Sequence, residues 1–331
     1  MNIKLSSLAA AIALSLGASP VVFGAATVLV DGSSTVYPIT EAVAEEFQSV
    51  GGGTRVTVGI SGTGGGFKRF CRGETDVADA SRPILKDEMV ACAQGGVKYV
   101  ELPIAMDALT VVVGKDNTWV DYLTVAELKK MWEPAAQGKI KNWNQIRASF
   151  PDVPLALSGA GADSGTFDYF TEAVVGKPKS SRGDYQASED DNVTVQFVSR
   201  NKGALGYFGL AYYEENKDKL RAVPIKATDT SPAVLPSVAT VNDGTYQPLA
   251  RPLFIYVSGK SMQRPEIKKF VEFYLDQGGA LATEVGYVNL PDAAYAQAKQ
   301  NFAAGKFGTG FGGVPEIGVH VEDLLKREGK Q

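Results

Sequence analysis

Ser158-Gly-Ala-Gly-Ala-Asp-Ser-Gly-Thr-Phe167 is the stretch that decides how this chain folds. It begins glycine-rich, so backbone can approach a ligand closely. It then offers Asp163 or Ser164 as a helix N-cap, with Phe167, Phe170 and Val174 following at helical spacing. The unpaired N–H groups of a new helix, beside the hydroxyls of Ser164 and Thr166, make a site for a small anion. Alone, the same pattern also describes an ordinary capped helix after a loop.

Two more stretches share this grammar. Residues 26–31 are a short β-branched run that leads into Gly32-Ser-Ser-Thr-Val-Tyr-Pro38 and a helix carrying Ile39, Val43 and Phe47 on one face. Residues 54–60 alternate as a strand and end in Ser61-Gly-Thr-Gly-Gly-Gly66, after which residues 67–72 read as a short helix. Further along, residues 97–102 and 108–113 read as strands joined through Pro103. Thr124 and Glu127 form a capping box for a helix over 124–132. Residues 177–192 are polar and suit a surface excursion, 193–199 a helix, 203–208 and 251–257 strands, and 266–274 and 280–286 two helices. Alternating strands and helices predict an α/β fold with mainly parallel sheets. In such sheets ligands bind at the carboxyl ends of the strands, so the three glycine- and hydroxyl-rich loops point to an anion cleft between two domains.

Composition narrows the function classes. Residues 1–25 combine Lys4, a short apolar core and small residues near the end, the pattern of a secretory signal peptide cleaved after Gly24 or Ala26. The apolar run is too short for a membrane span, and the segment has no cysteine to carry a lipid, so an exported, soluble protein is expected. The formal charge of −4 argues against nucleic acid or anionic membrane as the main partner. About 305 mature residues fit two domains. Cys71 and Cys92, in a chain bound for an oxidising compartment, are expected to form a structural disulfide.

Catalysis finds little support. A Ser-His-Asp hydrolase needs a histidine base, and the chain has one, His320, in its charged C-terminal region. Gly259-Lys-Ser261 lacks the first glycine of a phosphate loop, and Gly308-x-Gly310-x-x-Gly313 lies too near the C-terminus to open a dinucleotide-binding unit. The acids Glu189, Asp190 and Asp191 suit a solvated loop, and nothing calls for a metal or another cofactor.

Five segments carry a family resemblance: residues 30–38, 60–68 and 76–82, Asp163-Ser-Gly-Thr-Phe167, and Gly203-Ala-Leu-Gly-Tyr207. In this order, over nearly the whole mature chain, they resemble the PstS family of periplasmic phosphate-binding proteins of phosphate ABC importers, in particular its SphX-like branch. The resemblance implies a type II periplasmic binding protein, two α/β domains joined by two crossover strands, for which residues 102–113 and 251–257 are suited. It implies domain I at 26–104 plus 254–331 and domain II at 105–253. It implies a monomer without catalytic activity that hands inorganic phosphate to a membrane permease. Phosphate ligands carried over by position are Ser34, Thr35 and the Val36 amide, Thr63 with Gly64, and Ser164, Gly165 and Thr166, with Ser61 a weaker substitute for Thr63.

Two departures matter. Ala160 stands where many relatives carry an arginine, and Ser81 where many carry a proton-accepting aspartate. Arg82 is expected to supply the guanidinium, with Arg182 as the alternative. Asp79, Asp163 and Asp190 are candidates to read the ligand's proton. Another tetrahedral oxyanion, such as sulfate, arsenate or molybdate, and a secreted phosphatase remain as alternative functions.

Overall fold

The computed structural model of the chain describes residues 26–50, 53–162, 164–188, 190–314 and 321–327. The expected signal peptide at 1–25, and Asp163, Glu189 and His320, lie outside the described residues. The first half runs β1 (Thr27–Gly32), α1 (Tyr37–Val50), β2 (Arg55–Ile60), α2 (Thr63–Cys71), β3 (Val77–Ala80) and α3 (Lys86–Gln94) before the long β4 (Tyr99–Gly114). The second half runs β5 (Leu123–Thr124), α4 (Val125–Trp132), β6 (Ala156–Ala160), α5 (Gly165–Val175), β7 (Gln186–Ser188), α6 (Asp191–Arg200), β8 (Ala204–Gly209), α7 (Leu210–Asn216), β9 (Leu220–Ala222), β10 (Ile225–Lys226) and α8 (Val238–Asn242). The chain then returns through β11 (Ala250–Ser258) to α9 (Pro265–Glu284), α10 (Asp292–Ala303) and α11 (Val321–Lys326).

The main sheet has the order β2-β1-β3-β11-β4-β8-β6-β7, with β9 also on β4. Its two wings are parallel, as expected from the strand–helix alternation. Its middle is not, which corrects the expectation of mainly parallel sheets. The strand that leaves the first half and the strand that returns to it must run in opposite directions, and β4 and β11 pair antiparallel with each other and with their neighbours. Residues 99–108 of β4 pair with β11 and residues 109–113 with β8, so one strand serves both halves.

Three elements differ from the sequence expectations. The strands expected at 97–102 and 108–113 are one, with every residue of β4 buried. Pro103 is tolerated because β11 shifts register between Leu253 and Phe254, where the proline's missing N–H falls. The two helices expected at 266–274 and 280–286 are likewise one, α9, because Gly278 and Gly279 leave room for the rings of Tyr274 and Tyr295 rather than breaking the helix. Finally, α2 starts at Thr63, so the glycines of 64–66 form its first turn instead of a loop.

Aromatic packing fixes the helices that carry the loops. Phe47 of α1 meets Phe270 and Phe273 of α9 at ring separations of 5.4 and 5.5 Å. In the second half Trp132 packs edge-on against Phe170, Tyr185 and Tyr207, tying α4 and α5 to β8. Cys71 and Cys92 are bonded and join the end of α2 to α3. The Thr124–Glu127 capping box opens α4 as expected. Among the described residues no helix is long and apolar enough to cross a membrane.

Candidate anion-binding cleft

Register places three loops side by side. Gly32 pairs with Ile60 of β2 and with Asp79 of β3, so the carboxyl ends of these parallel strands share one edge of the sheet. The first loop closes tightly: Ser33 N–H donates to Asp79 O at 3.0 Å, and Ser33 Oγ accepts from Thr35 N–H at 3.2 Å. Tyr287 Oη donates to Thr35 O at 2.6 Å, so the turn is held from the C-terminal part of the chain as well. Thr35 and Val36 are buried, and Ser34 is half-buried.

The second and third loops meet through their hydroxyls. Thr63 Oγ1 lies 3.1 Å from Ser81 Oγ and accepts from Ser81 N–H at 3.2 Å. The N-cap of α2 is Gly62, with φ +74° and no side chain to cap, so the helix's first N–H groups, that of Gly64 among them, are not taken up by a capping side chain. Ser61 serves elsewhere: it is exposed and donates to Asp31 Oδ2, which also takes Arg69 at 2.6 Å. The structure thus brings Thr63, not Ser61, to Ser81.

In the other wing of the sheet, β6 ends at Ala160 and feeds α5. Ser164 is the N-cap, its Oγ accepting from Thr166 N–H at 3.1 Å. The Gly161 N–H donates to Ser188 O at 3.0 Å and Tyr185 Oη to Ala160 O at 2.9 Å, which pins the loop before the cap. Gly159 is needed for packing rather than for a ligand, since a Cβ there would stand 2.3 Å from the Tyr207 ring.

Of the two arginines singled out in the sequence, Arg82 lies at the first wall. Its Nη2 would be 3.8 Å from a Cβ built on Gly64. It is already engaged, with two 2.8 Å contacts to Glu88. Burial opposes its charge, but Glu88, with a smaller contribution from Glu172 of α5, holds the guanidinium above its ordinary pKa. Arg182 is away from the loops: it is bound by Asp184 and by the carbonyls of Met131 and Ile140.

The acids also separate. Asp79 is fully buried beneath α1, beside Thr40 and Tyr274, on the face of β3 opposite Ala78 and Ala80. Burial pushes its carboxyl up to about 7, with nearby Asp31 adding to the shift and Thr40 offsetting part of it. Asp190 is exposed and caps α6 through Asn192 N–H.

One further polar residue, without a motif of its own, lies beside the first loop. Arg251 heads β11, and its Nη2 lies 3.4 Å from both Thr35 Oγ1 and Asp107 Oδ2, while its Cζ sits 3.7 Å from the centre of the Tyr169 ring. A charged residue followed by Pro252 at the head of an apolar run was the available signal.

The chain is similar to known proteins in sequence and in fold. Residues 18–277 match the PBP superfamily domain. The protein SphX of Synechococcus elongatus is 55% identical over 304 residues, covering 92% of this chain and 89% of the relative. The chain belongs to the SphX–PstS family. Another member, the phosphate-binding protein PstS of Staphylococcus saprophyticus, is 40% identical over 270 residues, 81% of each chain. A solved structure of a possible phosphate-binding protein from Planctomyces limnophilus is 47% identical, with a TM-score of 0.79, covering 85% of this chain and 98% of that one. An ABC-type phosphate transport receptor from Vibrio cholerae shares the fold at 24% identity and a TM-score of 0.65, covering 80% of this chain and all of that one. The fold is that of a type II periplasmic binding protein, as the five SphX–PstS segments implied.

Proposed function

We propose that this protein captures inorganic phosphate in the cleft between its two halves and delivers it, without turnover, to the membrane permease of an ABC importer. The halves are residues 26–104 with 254–331, and residues 105–253. The observation that carries the reading is the convergence of three strand ends in the first half, with Thr63 and Ser81 in contact, in a chain whose relatives are named for phosphate binding. Ser34, Thr35 and the Val36 amide, Thr63, Gly64 and Ser81 contribute from one wall, with Arg82 beside Gly64 and paired to Glu88. Ser164, Gly165 and Thr166 contribute from the other. Helix N–H groups and hydroxyls suit a buried oxyanion because they supply many directed donors without a mobile countercharge. Residues 1–25 direct export and are then removed, and the protein acts as a monomer in the periplasm.

A second reading, another tetrahedral oxyanion, is favoured by one feature: Ser81, not a carboxylate, stands beside Thr63, so no acid there reads a ligand proton. Calorimetric titration of the mature chain with phosphate, sulfate, arsenate and molybdate separates the two. Saturable binding of phosphate, with sulfate much weaker, is expected; preference for sulfate or molybdate would replace phosphate by that anion.

A further inference from the structure

Arg251 of β11 stands opposite Asp107 of β4 in the pairing of the two crossing strands, one residue before β4 leaves β11 for β8. Its surroundings differ from those of the other guanidiniums. Arg82 and Arg182 are closely ligated by carboxylates, at 2.8 Å for Glu88 and at 2.5 and 2.8 Å for Asp184. Arg251 is more buried than Arg82, with side-chain exposures of 13% and 23%. Its contacts are nevertheless long: 3.4 Å to Thr35 and Asp107, and 3.9 Å from Nη1 to Glu172 of α5. Its Nε is enclosed with no partner among the described residues. Charge-assisted contacts of this kind ordinarily close to about 2.8 Å, and a desolvated guanidinium with unfilled donors is costly. Packing on Tyr169, whose own hydroxyl is anchored on Pro248 O, holds the group in place.

We propose that Arg251 supplies the fixed positive charge of the anion cleft, spanning Thr35 on one wall and α5 on the other. This rests on the phosphate reading of the same cleft. A threonine hydroxyl that accepts from a guanidinium keeps its own proton to donate, so Arg251 polarises Thr35 Oγ1 toward the ligand. Ala160 at the end of β6 brings no charge, and Arg82 is occupied by Glu88. Arg251 has donors left to give, and it touches both halves, so the bound oxyanion completes its ligation as the halves close.

The test is calorimetric titration of phosphate into the mature wild-type chain, Arg251→Gln and Arg251→Lys, each also melted without ligand to monitor folding. Arg251→Gln is expected to bind about 30-fold more weakly or worse, the loss of charge-assisted hydrogen bonds. Arg251→Lys, which keeps the charge but not the fork, is expected to bind about tenfold more weakly. Folded variants within about threefold of wild type would overturn the proposal, even if their melting temperatures fall. If Arg251→Gln does not fold, Arg251→Lys decides by the same threshold. If wild type takes sulfate or arsenate in place of phosphate, the phosphate reading fails, and the same ratios measured with that anion decide for Arg251.

Discussion

Gly66 of α2 and Gly32 at the end of β1 touch backbone to backbone: a Cβ built on Gly66 would stand 2.6 Å from Gly32 Cα and 2.9 Å from Asp31 O. The first turn of α2 is therefore seated directly on the end of β1, and two of the three strand ends are packed against each other. Gly66→Ala is expected to lower stability by about 2–3 kcal/mol, because neither backbone can give way. Gly64→Ala is expected to be milder for folding, since its Cβ would meet nothing nearer than Arg82 Nη2 at 3.8 Å. Denaturant unfolding of both variants checks the difference; equal losses would contradict the close seating.

Thr63 and Ser81 test the hydroxyl network. Thr63→Val keeps shape but leaves the Ser81 N–H without its acceptor. A cost of about 1–2 kcal/mol in binding is expected, roughly a tenfold rise in Kd for phosphate. Ser61→Ala, which touches Asp31 instead, should leave phosphate affinity unchanged in the same titration.

Asp79 predicts a pH dependence with a definite sign. Its carboxyl titrates near 7 in the folded protein, against an ordinary value of 3.8. The folded state therefore holds a proton that the unfolded chain has lost, and stability falls as pH rises from about 4 to about 7, levelling off above. Asp79→Asn removes that fall, so its stability relative to wild type should improve between pH 5 and pH 8, by an amount on the order of a few kcal/mol. Unfolding curves at the two pH values measure this. A difference that does not change with pH would place the titration elsewhere.

The disulfide is expected to support the fold and not the ligand. Cys71 and Cys92 are buried and 21 positions apart. Replacing both by alanine should cost about 3 kcal/mol of stability through loop-closure entropy. Phosphate affinity in the titration should stay at the wild-type value, because neither sulfur is among the cleft residues.

What could be read from the sequence was local. Ser164 as a cap, the Thr124–Glu127 box and the helix over 193–199 depend on neighbours a few residues away, and those signals are printed in the chain. The elements that differ depend on packing partners that local spacing does not reveal. Pro103 does not end a strand because β11, some 150 residues later, shifts register to meet it. Gly278 and Gly279 do not end a helix because tyrosine rings fill the space they leave. The pairing of Arg82 with Glu88, and the approach of Arg251 to Thr35 and Asp107, are likewise made by the fold and not by local spacing. Side-chain charge is visible in a sequence, but how much of it is already spent is a tertiary property.

A crystal structure of the mature protein grown with phosphate is the decisive measurement. One phosphate is expected between the halves, within hydrogen-bond distance of the Thr35 and Thr63 loops on one side and of Ser164 and Thr166 on the other. A phosphate bound to one wall alone, or a cleft that stays empty while phosphate binds elsewhere on the protein, would contradict it.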